Sequence, residues 1–527
     1  MNTVQVQVLG YALLAVAEEI GATLVRTAYT TNIKERMDCS AAVFDLVGNV
    51  IAQAEHIPIH LGSLLGIVEN IRKRYNLDEI QQGDMFIAND PYSGGGTHLP
   101  DIAVAAPVFH HGKPAAFVAN IAHHSDVGGR VPGSNAGDST SIFQEGIRIP
   151  VMRIIEQGEL NRELMALILL NTRTPEERKG DLQAQFAANR TGVARMEAIV
   201  AQYGLIQYNS HCAELLDYAE RKLRLAIDKI PDGQYTFHDY MDDDGVGQFP
   251  LKIQVQITVC GDQIHLDFEG TDGAAQGAIN VVRTALMATV YFAIKSILDP
   301  TIPPNAGYFR AIEIDAPIGT IVNPQPPSPV AGRTDTCQRI VDVIYGALAQ
   351  AAPERVPAAS NGAVTALHLS GINPTTGKYY VYPETLGGGG GARPTKDGMD
   401  GVHSGVTNTS NLPIEALEME YPLRVERYEL VTDSGGTGAY RGGMALRRDI
   451  RILDHQATLS THGDRLKFAP WGLAGGEEGG KAQFVVNPGS ADEHVFASGK
   501  VSEVQLKAGD ILRVQTAGGG GYGHKCS

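Results

Sequence analysis

No CxxC pair, no basic surplus and no long apolar run occur in this chain, and each absence removes a class of protein. The five cysteines stand far apart, at 39, 212, 260, 337 and 526. They offer neither a disulfide framework nor a zinc–thiolate site, and they fit a reducing compartment. The formal net charge of -16 argues against nonspecific binding to nucleic acid or to an acidic membrane surface, though it leaves room for a local basic pocket. No uninterrupted run of about eighteen apolar residues exists, so no membrane span is expected. The N-terminus lacks the basic-then-apolar pattern of a signal peptide, and a cytoplasmic protein is the expectation. Glycine clusters are present, but none has the G-x-x-x-x-G-K-[ST] form or a dinucleotide fingerprint in its strand–helix context.

With 527 residues, 43% hydrophobic and 19% charged, the chain can form more than one core. Only 6% of residues are aromatic, whereas glycine reaches 60 and falls largely in clusters, which implies extensive turn and loop architecture.

Residues 6–29 repeat apolar positions every three to four residues, the mark of a first helix. Ser40 to Ala54 reads as two strands around Val47-Gly48-Asn49, and Leu61 to Tyr75 as a helix. Two apolar segments, Ile102 to Phe109 and Ala115 to Ile121, flank the turn-like HHGKP and suit an antiparallel hairpin. From Pro175 to about Lys229 the chain is charged and helically periodic, and Pro231-Asp232-Gly233 closes it. Alternating strands follow, then buried helices over Val281 to Leu298 and Cys337 to Ala351. The fold class expected is α+β and multidomain. A metal-binding N-terminal α/β domain with a helical extension spans 1–232, a mixed α/β middle domain 233–330, and a glycine-rich, sheet-rich C-terminal domain 331–527.

The chemistry gathers before residue 130, where seven of the sixteen histidines lie, at 56, 60, 98, 110, 111, 123 and 124. A hairpin over 102–121 brings His98/Asp101 and His123/His124/Asp126 together at its open end. Imidazole and carboxylate there are the ingredients of a divalent-metal site; a metal-free acid/base site and a structural polar network are the alternatives. Pro100 disfavours a helix through THLPD, but a tight turn can aim both His98 and Asp101 inward. His123 and His124 cannot point the same way from an extended backbone. Asp38, where a loop enters a strand, is the best fourth ligand. Two imidazoles and two carboxylates suit Zn, Fe or Mn. His124 and Asp126 could orient the ligands, and with His56 and His60 could line the pocket; His124, Asp126 and His60 are the catalytic candidates. LGGGGGARP permits tight turns or exposes backbone N–H groups to an anion. Arg333 and Asp335, and His403, Asn408 and Asn411, are further polar foci.

The stretches ERMDCSAAVFD, AEHIPIHLGS, GDMFIANDPYSGGGTHLPD, AHHSDVGG and EGIRIP closely resemble the hydantoinase B/oxoprolinase family. So do NPQPPSPV, DGVHSGVTNTSNLPIEALE, YPLRVERYEL, DSGGTGAYRGG and TAGGGGYG, in order along nearly the whole chain. The resemblance implies a metal held by Asp38, His98, Asp101 and His123. It also implies an A-type partner subunit that uses ATP and Mg, within a heterotetramer or larger hetero-oligomer. The activity implied is metal-assisted hydrolysis of a small cyclic amide, with no nucleic acid or membrane involved. ATP-dependent carboxylation of a ketone is the competing reaction in related families, and a metal-bearing assembly subunit without chemistry the third reading.

Overall fold

A computed structural model describes residues 3–525 apart from 55, 56, 95 and 248, so His56 and Cys526 lie outside the described residues. Helix α1 (Thr3–Thr27) opens the chain. Leu9, Leu13, Val16, Ile20 and Leu24 are buried at helical spacing and form one apolar stripe. By length and composition alone this helix could also cross a membrane, a property hidden by the lack of an unbroken apolar run. Its stripe is covered by protein.

After the short helix α2 (Thr31–Lys34) come β1 (Cys39–Phe44) and β2 (Val50–Gln53), paired antiparallel as expected. The Asp45 carboxylate accepts the backbone N–H groups of Val47, Gly48 and Asn49 and so fixes the turn between them. The single helix expected over 61–75 is broken in two, α3 (His60–Ser63) and α4 (Ile67–Arg74). Gly66 between them has φ 87°, a left-handed conformation that interrupts the helix. Five strands follow: β3 (Met85–Ala88), β4 (Asp101–His110), β5 (Lys113–His123), β6 (Met152–Glu156) and β7 (Glu159–Leu160). They join β1 and β2 in a sheet of order β2-β1-β5-β4-β3-β6-β7 with the expected hairpin at its centre.

Helices α5 (Arg162–Leu170), α6 (Pro175–Tyr203) and α7 (Leu205–Ile227) form the expected helical region. Val104, Ala106 and Val118 share a core with α1 and α6, while their neighbours Ala103, Ala105 and Ala119 pack with Ile67 and Ile71 of α4. Both faces of the sheet are covered, so β4 and β5 read in sequence as continuous apolar runs.

The second sheet has the order β11-β10-β9-β8, from β8 (Gly233–Met241), β9 (Leu251–Cys260), β10 (Gln263–Asp267) and β11 (Ile312–Asp315). Helix α9 (Arg333–Leu348) packs against β8 and β9, and α8 (Arg283–Leu298) packs against α9. Ile340, Val343 and Ile344 of α9 share one core with Ile253, Val255 and Ile257, and that core continues into the N-terminal sheet and helices. The expected boundary at 330/331 therefore runs between a helix and the sheet it covers. Pro231-Asp232-Gly233 forms the turn from α7 into β8, as expected.

The C-terminal region contributes β12 (Ala366–Ile372), β13 (Tyr379–Thr385), helix α10 (Ile414–Glu420), β14 (Leu423–Leu430), β15 (Leu446–Ile452), β16 (Ala457–His462), β17 (Gln483–Val486), β18 (His494–Val495), β19 (Val501–Leu506) and β20 (Ile511–Gln515). Two sheets, β13-β12-β16-β19 and β14-β15-β20-β17-β18, share a core that includes Leu369, Tyr382, Ile450, Leu459, Phe484 and Leu512.

The three glycine clusters meet beside this core and hold one another by backbone hydrogen bonds. Gly443 N–H donates to Gly390 O at 2.8 Å, Gly519 N–H to Gly443 O at 2.9 Å, and Gly436 N–H to Gly519 O at 2.8 Å. A Cβ on Gly389 would collide with the Gly443 carbonyl oxygen and the Gly519 nitrogen. Gly387 to Gly391 and Gly518 to Gly521 are absent from the left-handed region, so a need for positive φ does not explain them. They are glycine because three backbones pack closer than any side chain allows.

Candidate metal centre

The register of the central hairpin sets Asp101 directly opposite His123 at its open end. Upstream of β4, the turn through Pro100 is closed by Asp101 N–H donating to His98 O at 3.2 Å, which folds His98 back beside Asp101. On the other side β1 runs along β5, and His123 N–H donates to Asp38 O at 3.0 Å. Three chain segments are thereby brought to one point by backbone pairing alone. Side-chain donor atoms of His98, Asp101 and His123 all lie within 4.8 Å of one another.

His98 Nδ1 is 3.0 Å from Asp101 Oδ2 but lacks hydrogen-bonding geometry to it. Thr97 Oγ1 donates to Asp101 Oδ2 at 3.2 Å, and Arg333 Nη2 donates to the same oxygen at 2.9 Å. Asp101 Oδ1 is buried and accepts no hydrogen bond from the described residues. A carboxylate oxygen left so is costly unless a cation meets it, and a cluster of two imidazoles and a carboxylate is the donor set a divalent cation takes. The residues fit the group.

His60 Nε2 lies between two carboxylates, 3.7 Å from Asp101 Oδ1 and 3.8 Å from Asp38 Oδ1. Its other nitrogen, Nδ1, is 3.2 Å from Ser40 Oγ, whose hydroxyl donates to Cys39 O at 2.8 Å. Asp38, His60, His98, Asp101 and His123 therefore line one cavity, with a volume of about 50 Å³, room for a cation and a few waters.

Burial opposes ionisation of Asp101, yet His98 and Arg333 beside it hold its carboxyl well below the usual carboxylate range. Asp38 is pushed up by burial, partly offset by His60 and Arg36. Burial, helped by the Arg333 guanidinium, lowers His98 to about 4. Burial and the neighbouring His98 likewise lower His123. Both shifts favour the neutral imidazole, the form that coordinates metal.

His124 and Asp126 do not join this group. Alternation along β5 sends His124 to the opposite face, where its Nε2 sits 3.0 Å from Gln185 Oε1 of α6. Asp126 accepts Gly128 N–H, Gly133 N–H, Arg173 N–H and the Arg173 guanidinium, so it ties loops together. Neither lines the cavity.

The far wall comes from residues the sequence does not flag. Arg36, Asn135, Arg333, His368, Glu384 and His462 all line the cavity. Of these only Arg333 stands out in the sequence, as a separate polar focus with Asp335, and the fold merges that focus with the first. The only local sign of His368 and His462 is a histidine within an apolar strand. Glu384 is neutralised by Arg448 in a fully buried ion pair. His403 lines a second cavity, and Asn411 Nδ2 donates to Glu384 Oε1 at 3.0 Å.

An α+β chain whose N-terminal hairpin presents a His/Asp/His cluster to a cavity roofed by C-terminal strands defines the class. The hydantoinase B/oxoprolinase profile matches residues 2–525, and the chain belongs to that family as a B-type subunit. It is 34% identical over 541 residues to the B-type subunit of a putative D-/L-hydantoinase from Pseudomonas sp. (strain NS671), covering 99% of this chain and 90% of that one. The crystal structure of the ATP-dependent caprolactamase from Pseudomonas jessenii superposes with a TM-score of 0.90 at 28% identity, covering 99% of this chain and 91% of that one. The nucleotide-free structure of an acetone carboxylase gives a TM-score of 0.90 at 19% identity over 99% of this chain and 76% of that one, a likeness of fold.

Proposed function

We propose that this chain is the B-type subunit of an ATP-dependent enzyme that opens a small cyclic amide by hydrolysis, acting with an A-type partner. The observation that carries the reading is the convergence of His98, Asp101 and His123, with Asp38 and His60, in one buried cavity. Relatives described as a hydantoinase subunit and a caprolactamase subunit support the cyclic-amide class.

Asp38, His98, Asp101 and His123 are the residues that would hold a divalent cation, Zn, Mn or Fe by the mixed N/O donor set, and His60 stands where a fifth donor would. Such a cation supplies Lewis acidity, polarising a carbonyl and easing deprotonation of water. The protein residues do the rest. Arg333 and Thr97 fix the Asp101 carboxylate through one oxygen, and the other, facing His60, accepts no hydrogen bond from the described residues. Burial keeps the imidazoles neutral, and the walls limit the water admitted. Amide resonance leaves the carbonyl carbon a poor electrophile, and the partner's use of ATP and Mg, through O-phosphorylation of the amide, overcomes that. The active assembly is a heterotetramer or larger. A cytoplasmic location agrees with its need for ATP and with the free thiols of Cys39, Cys212, Cys260 and Cys337.

The test is the complex co-purified with its A-type partner and supplied with ATP, Mg and a divalent metal. Coupled ATP consumption and ring opening with hydantoin, 5-oxoproline or caprolactam is the expected result. Incorporation of bicarbonate into a ketone would replace this reading with carboxylation. Neither reaction in an assembled complex would leave an assembly subunit.

A further inference from the structure

We propose that His462, oriented by Asp335, is the catalytic residue that moves protons in the metal cavity; this rests on the reading that water opens a cyclic amide there. His462 ends β16 and pairs in register with Ala366 of β12, and both residues line the cavity opposite the hairpin. Its Nδ1 lies 2.9 Å from Asp335 Oδ2. Asp335 is fully buried at the start of α9, and its other oxygen accepts Val364 N–H at 2.8 Å. A carboxylate pinned in this way holds the proton on Nδ1 and leaves Nε2 as the acceptor.

Nε2 is 3.0 Å from the Asn135 amide nitrogen, and Asn135 lines the same cavity. The Asn135 Oδ1 is buried without a partner among the described residues, which marks a polar position beside Nε2 where a water belongs. The amide donates to Nε2 while the ring is neutral and, turned over, accepts from it once it carries a proton. His462 thus has a carboxylate behind it, a reversible partner beside it and the cavity in front. None of the three groups belongs to the proposed metal-holding set.

The step acts on the ring amide after the partner has phosphorylated its oxygen, and it balances with water. As the water oxygen bonds to the ring carbon, the C=N π pair moves to nitrogen, and the water's proton passes to Nε2, where Asp335 offsets the new charge, and on to that nitrogen. The remaining hydroxyl proton then passes through Nε2 to the nitrogen as the C–N bond breaks and the C=O bond forms, leaving the amine and an acyl phosphate. A second water hydrolyses the acyl phosphate to carboxylate and inorganic phosphate.

The experiment uses the complex with its A-type partner, ATP, Mg and divalent metal, on hydantoin, 5-oxoproline and caprolactam. With wild type active, His462→Ala is expected to lower ring opening by about 10²–10⁴-fold with metal content unchanged, and added imidazole to restore part of the rate. Asp335→Asn should slow the reaction while retaining metal. His462→Asn, closer in size and polarity, repeats the measurement if the alanine variant does not fold. A rate within about tenfold of wild type in either His462 variant overturns the proposal. So does a loss that imidazole does not relieve, or one that tracks lost metal. A wild-type complex that opens none of the three rings removes the cyclic-amide reading itself, and this proposal falls with it.

Discussion

Arg333 Nη2 lies 2.9 Å from Asp101 Oδ2, joining residues 232 positions apart. Its Nε donates to Thr97 Oγ1 at 2.8 Å, so one planar guanidinium braces both the carboxylate and the turn that carries His98. Arg333→Met should weaken divalent-metal affinity by about 10–100-fold, and Arg333→Lys should recover only part, since a point charge lacks the fork. Metal competition against a calibrated chelator measures this. Unchanged affinity in the methionine variant would show that Asp101 needs no brace.

Removing donors should abolish binding outright. In His98→Ala combined with Asp101→Ala, elemental analysis of the dialysed protein should find only background metal. Stoichiometric retention would place the ion elsewhere.

Glu145 predicts a pH dependence of stability. Its Oε1 accepts Val330 N–H at 2.8 Å and Ala331 N–H at 2.9 Å, while Oε2 is buried and unpartnered among the described residues. Burial raises its carboxyl from 4.5 to about 8, against the pull of those two N–H groups and Arg333. Between those values the folded protein keeps a proton that the unfolded chain has lost. Its contribution to stability is thus complete below about 4.5 and gone once pH passes about 8. The slope it adds is at most about 1.4 kcal/mol per pH unit. Glu145→Gln retains an acceptor for both N–H groups without the titration, so its melting temperature should fall less than wild type's between those limits. Parallel curves would assign the slope to other groups.

Gly519→Ala tests the glycine assembly. A Cβ there would strike the Gly390 carbonyl, which is backbone and cannot rotate aside. Destabilisation of about 1–3 kcal/mol or more is expected by thermal or denaturant unfolding. Alanine at Gly509, whose added Cβ meets nothing but whose φ is 93°, separates steric collision from backbone strain. A Gly519→Ala loss no larger than that of Gly509→Ala would refute the packing argument.

The hairpin and the cluster at its mouth are legible in the sequence because both are local. The two strands carry continuous apolar runs around a turn, Asp101 and His123 stand at their ends, and the Pro100 turn adds His98, so register and one turn assemble the cluster. Asp38 is readable for the same reason, being one residue ahead of a strand that pairs with β5. His124, one residue past the end of β5, turns instead to Gln185 of α6. His368, His462 and Glu384 leave no comparable sign, since only sheet-on-sheet packing brings them to the cavity. The glycine clusters suggest turns because a backbone-to-backbone contact has no sequence period. Helix α9 is recognisable as a helix but not as part of the middle unit, because nothing within Cys337 to Ala351 says which sheet it covers.

That far wall bears on how the protein matures. The ribosome adds Asp38 early and His462 late, so during most of synthesis the hairpin ligands exist without a roof. In that interval the side chains of the cavity floor stand open to solvent. The cavity is complete only once β12 and β16 have packed over the hairpin.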